Sequence, residues 1–185
     1  MMRSFTKIVH GRSATLVLSV LLVLCAAVSA AAEALSEEQV KAAFLYNFAK
    51  FVAWPAGAFA GPHDPIVFGV LGKDPVGDAV QGLSGRTVQG RAVVVMRYQR
   101  VLDVKVCHVL FIGRSEQDRI EDDIQTLSGT PILLVADSEQ FARRGGMINF
   151  VLERNRVGFE INLESMKRSK LVVNAQLLKL ARTVY

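Results

Sequence analysis

From residue 36 onward the apolar positions follow two rhythms, one helical and one extended. Ser36 stands as an N-cap with Gln39 three residues on, the spacing of a capping box. A helix is predicted from there to about Val52. At 100° per residue Val40, Phe44, Phe48 and Phe51 fall within about 80° of one another, an apolar stripe, with Tyr46 and Lys50 on the far side. Pro55 ends the helix, and Gly57, Gly61, Pro62 and Pro65 make a loop of the next segment.

The extended rhythm begins at Ile66–Leu71, an unbroken apolar run suited to a strand covered on both faces. Gly72-Lys73-Asp74-Pro75 then turns the chain into a helix, with Asp74 as N-cap and Pro75 at the first helical position. Further strands are predicted at Ala92–Arg97, Val106–Ile112 and Pro131–Val135. Between the last two, a helix opens at Ser115 and stops at Ser128-Gly129. Met147–Leu152 and Val157–Ile161 flank Glu153-Arg154-Asn155-Arg156, the pattern of a hairpin with a polar loop. A short helix over 175–181 closes the chain. Strand–helix alternation followed by a hairpin predicts a three-layer α/β domain over residues 33–185, mostly parallel, with an antiparallel hairpin at the edge.

The first 32 residues read differently. Arg3, Lys7 and Arg12 precede an apolar stretch from Ala14 to Leu24, and Val28-Ser29-Ala30 and Ala30-Ala31-Ala32 are small-residue cleavage sites, the plan of a secretory signal peptide. The chain is therefore expected to be exported to the periplasm and cleaved; a retained anchor is the alternative. Leu24 before Cys25 argues against lipid attachment there. Three of the 22 Lys+Arg lie in this segment and all 17 Asp+Glu lie after it, so the mature net charge is only +2. So small a charge, with no basic run longer than Arg143-Arg144, does not argue for nucleic acid as a partner, and none is expected.

Removing the signal leaves Cys107 alone. It is read as a buried thiol, with an intermolecular disulfide or a redox role as the sharper option. Catalytic material is sparse after the signal. His63 sits in a Gly-Pro loop and His108 inside an apolar strand, and no C-x-x-C, H-E-x-x-H or G-x-S-x-G pattern occurs. No metal, cofactor or catalytic residue is expected, and a phosphate site at Gly72–Pro75 is a minor option because the cap and the proline explain those residues. Asn47, placed at the margin of the apolar stripe, either ties down a loop or contacts a ligand. Trp54, the one tryptophan, is a core residue or an interface anchor. Glu160 alternates with apolar neighbours and is read as solvated, with Arg143-Arg144 able to pair with it.

Residues 41–55 (KAAFLYNFAKFVAWP), Cys107–Ile112, Phe141-Ala142, Gly145–Ile148 and Val157–Leu163 occur in the order found in the YfiR family, which the chain resembles over nearly all its length after the signal. That resemblance implies a periplasmic, non-enzymatic repressor of a membrane-bound diguanylate cyclase. It would bind the periplasmic sensory domain of that inner-membrane enzyme, and an outer-membrane lipoprotein of the OmpA/Pal type could sequester it; a homodimer is a further option. The intrachain bridges of cysteine-richer relatives do not carry over, because Phe68-Gly69-Val70 and Met147–Phe150 lack Cys. The competing class is a periplasmic small-ligand sensor. A pocket lined by Asn47, Trp54 and Asn162 would favour the sensor, and an exposed apolar patch would favour the repressor.

Overall fold

The computed structural model describes residues 35–185; the expected signal peptide lies outside them. Helix α1 (Glu37–Phe51) starts on the predicted capping box, with both Ser36 and Gln39 bonds formed. A two-residue strand β1 (Val52–Ala53) follows, then the fully buried β2 (Ile66–Leu71), α2 (Val76–Gln81), β3 (Thr87–Val88) and β4 (Arg91–Tyr98). After a 3₁₀ turn at Val101–Asp103 come β5 (Val109–Ile112), a second 3₁₀ turn at Arg114–Arg119, α3 (Ile120–Thr126) and β6 (Leu133–Ala136). The chain finishes with β7 (Ile148–Glu153), β8 (Arg156–Ile161), α4 (Leu163–Arg168), β9 (Val172–Val173), α5 (Ala175–Leu180) and β10 (Thr183–Val184).

Eight strands form one sheet in the order β10-β8-β7-β6-β5-β2-β4-β3, and β1 pairs with β9 in a separate antiparallel ribbon. The core of the sheet, β4-β2-β5-β6-β7, is parallel, as expected of continuous apolar strands. The β7–β8 hairpin is antiparallel and turns through Arg154 and Asn155, both at positive φ (48° and 62°), the geometry of a two-residue primed turn. The hairpin is not the outermost element, because β10 adds beside β8 in parallel. At the other margin β3 covers only the start of β4. Val93 still bonds outward to Gly85 and Arg86, but Val95 and Arg97, which share its outward-facing backbone parity, have no such partners among the described residues.

Register assigns the faces. Phe68, Val70, Phe111, Val135, Phe150 and Phe159 lie on one side, beneath α1 and α2. There Phe48 meets Phe159 edge-on at 4.9 Å between ring centroids and stacks on Phe150 at 5.8 Å. Leu110, Ile112 and Leu134 lie on the other side, toward α3 and the turn holding Phe141. Gly146 is needed there, since a Cβ would stand 2.2–2.5 Å from the Phe141 ring.

The buried face of α1 differs from the predicted stripe. It centres on Leu45, with Lys41, Ala42, Phe48 and Ala49, and is rotated by roughly 100° from the Val40/Phe44/Phe48/Phe51 line. The two alanines allow close approach to the sheet, which a reading weighted to large aromatics overlooks. Phe44 and Phe51 flank the contact half-buried. Asn47 consequently lies about 160° around the helix from Leu45 and is exposed, not half-buried as expected. Pro75 occupies the N-cap of α2 rather than its first turn. Val106 precedes β5 and is exposed.

Candidate functional site at the carboxyl edge of the sheet

The parallel strands β2, β5 and β6 end at one edge, the side on which open α/β sheets bind ligands. Where the strand order reverses, beside β2, the crevice is filled by protein. Gly72 adopts φ 76°, and Ser115 Oγ accepts from Lys73 N at 2.8 Å, so close that a Cβ on Gly72 would lie 2.3 Å from that hydroxyl. Asp74 occupies the amide position that a phosphate would need, accepting from Val76 N at 2.9 Å and Arg114 N at 3.1 Å. The residues of Gly72–Pro75 therefore satisfy one another.

One element along, the edge carries a buried charge network. Lys41, only 3% exposed, reaches from α1 to Asp137 at the end of β6, 2.5 Å from its Oδ2, and also pairs with Glu37 one turn earlier. Arg114 Nη2 meets the same Asp137 oxygen at 2.6 Å. Burial pulls the Lys41 amine down, but the hydrogen bonds it donates to Asp137 and Glu37 outweigh that and hold it above its ordinary value. For Asp137 burial pushes up, and the two cations more than reverse that, keeping it ionised. In the sequence Lys41 is only a polar residue between Val40 and Ala42. Nothing in a sequence shows that a carboxylate 96 residues on will meet it.

Asp137 also lines a cleft of about 540 Å³ between the 137–143 turn and the outer face of β7, β8 and Tyr185. Inside it Arg143 Nε donates to Tyr185 Oη at 3.0 Å and Tyr185 Oη donates to Glu160 at 3.3 Å. The pairing of Arg143 with Glu160 suggested by sequence is thus relayed through a phenol. The buried Asn149 amide spans the cleft floor, its nitrogen donating to Ser138 O at 2.9 Å.

The three residues suggested as contacts are not brought together. Asn47 points outward from α1. Asn162 caps α4, accepting from Ser165 N at 2.9 Å and donating to Ala142 O at 2.7 Å, so both ends of its amide are used. Trp54 is half-buried and edge-on to Phe59 and His108, and its buried Nε1 has no partner among the described residues. His108 is 4% exposed. Its Nδ1 accepts from Val67 N at 3.0 Å and its Nε2 donates to Ala58 O at 3.0 Å, which fixes a neutral tautomer. The ring stacks on Phe59 at 4.2 Å, and Arg91 covers the opposite face of Phe59 at 3.8 Å while donating to Gly61 O and Asp64 O. This cluster pins the 56–65 loop. Burial lowers the His108 pKa. Cys107 is buried, with its thiol pushed up to about 12 by burial, unlike a reactive thiolate.

The match to known sequences runs through nearly all of these elements: the model of the YfiR/HmsC-like family fits residues 38–182. The chain belongs to the YfiR/HmsC-like family. That family comprises periplasmic regulators in cyclic-di-GMP signalling, regulatory rather than catalytic, associated with control of a diguanylate cyclase. In fold, this YfiR/HmsC-like protein is similar to a crystal structure of a conserved domain protein from Vibrio cholerae O1 biovar El Tor, with a TM-score of 0.56 at 11% identity. The similarity covers 82% of this chain and 61% of that one. No helix among the described residues is long and apolar enough to cross a membrane, and no group of three or more His, Cys, Asp or Glu among them could hold a metal.

Proposed function

We propose that this protein is a periplasmic, non-enzymatic repressor that binds the periplasmic sensory domain of an inner-membrane diguanylate cyclase and holds its output off. Membership of the YfiR/HmsC-like family over residues 38–182 carries this reading. A second feature supports a protein partner. The outer face of β4 is incompletely covered. Met96 is 43% and Val106 58% exposed, and Tyr98 bridges them, its hydroxyl 3.4 Å from Met96 Sδ and 2.8 Å from Val106 O. Beside this apolar patch the backbone of Val95 and Arg97 has no outward partner among the described residues. Side chains and a strand edge together are how sheet proteins take an added strand. Sequestration by an OmpA/Pal-like lipoprotein would then compete for the same surface.

Repression requires that the surface bind inactive cyclase better than active cyclase, since equal binding shifts nothing. Deleting the protein should raise cyclic-di-GMP and attachment in a strain carrying the cyclase. A Met96→Asp/Val106→Asp double variant should do the same while its circular dichroism remains that of the wild type. Unchanged cyclic-di-GMP on deletion would sink the reading. A fully repressing double variant would move the interface elsewhere, and Trp54, read from the sequence as an anchor, would be tested next.

The ligand-sensor alternative draws support from the Arg143–Tyr185–Glu160 cleft, which offers opposite charges in one polar hollow. Calorimetry with amphoteric small molecules, against an Arg143→Ala control, separates the two readings.

A further inference from the structure

On the α3 face, away from both the carboxyl-edge network and β4, lies a smaller cleft of about 230 Å³. Its floor is apolar, with Leu134 and Met147. Its walls are polar and carry two guanidinium groups, Arg144 and Arg168, with the hydroxyls of Ser165 and Ser169 between them; no carboxylate lines it. Ser165 and Ser169 are only 3% and 2% exposed, so these are built-in groups rather than surface decoration. Arg168 is held in place: its Nη2 donates to Ser165 Oγ at 2.7 Å, and that hydroxyl donates to Gly145 O at 2.8 Å. One guanidinium edge is thus spent on orientation, and Arg168 has no carboxylate partner among the described residues. Arg144 has one, Glu121, 3.0 Å from its Nε on the rim and largely exposed, a pairing of the weak kind.

Two forked cations and the Ser169 hydroxyl around a hollow this size match a tetrahedral oxyanion, which accepts several bonds at once; the Ser165 proton is spent on Gly145 O, so Ser165 serves to orient Arg168. We propose that this cleft binds a soluble phosphate group, as free phosphate or a small phosphomonoester whose short carbon portion rests on Leu134 and Met147. This goes beyond the repressor reading and does not depend on it.

The test uses the purified protein without the cyclase. Inorganic phosphate and, separately, glycerol phosphate are titrated while the Arg144 and Arg168 Nε–H signals are followed by NMR, against sodium chloride of matched ionic strength. Saturable shifts of both signals with phosphate and not with chloride are expected. Arg168→Gln should weaken binding by about tenfold or more, as expected for a charge-assisted bond, and Arg168→Lys should recover part of it. Lys167→Gln, which removes a neighbouring charge outside the cleft, should leave binding unchanged. Tighter binding of the ester than of phosphate would identify the phosphomonoester as the source. Shifts equal in chloride, no saturation, or an Arg168→Gln variant that titrates like the wild type would overturn the proposal and reduce both arginines to covering the carbonyl ends of α3 and α4.

Discussion

His108 makes the loop over residues 56–65 acid-sensitive. Its Nδ1 accepts a buried backbone N–H from Val67, and an imidazolium cannot accept. Protonation therefore leaves Val67 N facing a donor, at a cost of about 1–3 kcal/mol for a buried unsatisfied group. The charged groups around the ring oppose each other: Arg91 disfavours the imidazolium and Asp64 favours it, with burial the largest influence and in the lowering direction. A folded pKa below the unfolded value of about 6.5 means that the unfolded chain binds the proton first. The contribution is thus present above about pH 6.5 and is lost as the pH falls toward the folded pKa. Each pH unit over which the folded ring stays neutral while the unfolded one is protonated costs about 1.4 kcal/mol, or roughly 3–6 °C in Tm for a domain of this size. The single tryptophan, Trp54, lies 6.3 Å from the His108 ring and reports the event directly. Fluorescence and thermal melts from pH 8 to 5 should show a step in wild type that is absent in His108→Gln, which keeps an acceptor but does not titrate there. Identical pH profiles in the two proteins would refute the reasoning.

Lys41→Ala should destabilise by about 2–3 kcal/mol, below the 3–5 of a fully buried pair because Arg114 still faces Asp137; urea unfolding at pH 7 measures it. Asp137, held low by its cations, adds stability above its unfolded pKa of about 3.9 that disappears as the pH falls through its lower folded value, and Asp137→Asn should flatten that acid limb. Asn162→Ala should cost about 1–2 kcal/mol through the lost cap of α4 while leaving repression of the cyclase intact, a result checked by melts and cyclic-di-GMP assay together. Cys107→Ser should change Tm only modestly, because a serine hydroxyl can donate to Val109 O, 3.2 Å from the native sulfur. Non-reducing gels of the wild type should show no covalent dimer.

The long elements were legible because each carries its own signal. The capping box, the unbroken β2 run and the polar hairpin loop are local features, and the chain adopts them where the residues require. The two-residue strands β1, β3, β9 and β10 and the single-turn α4 carry no periodicity; register and tertiary pairing create them. The face of α1 was misjudged because Ala42 and Ala49, light on any hydrophobic scale, make the close contact. From the sequence Asn162 is only a candidate pocket residue; that both ends of its amide are committed follows from Ala142 and Ser165 lying beside it. The Lys41–Asp137–Arg114 network joins three elements distant in sequence, and no spacing rule reaches that far.

A strand edge does not distinguish a foreign partner from a second copy of its own chain. If the chain acts as the proposed repressor, the open stretch of β4 at Val95 and Arg97 would tie its potency to its abundance. As the protein accumulates, copies paired along β4 would withdraw from the pool able to meet the cyclase, and the dose–response curve would flatten before the cyclase is saturated. The short β3 and the Arg97–Asp78 ion pair beside that edge would limit such self-pairing and so raise the concentration at which more of the protein stops adding repression.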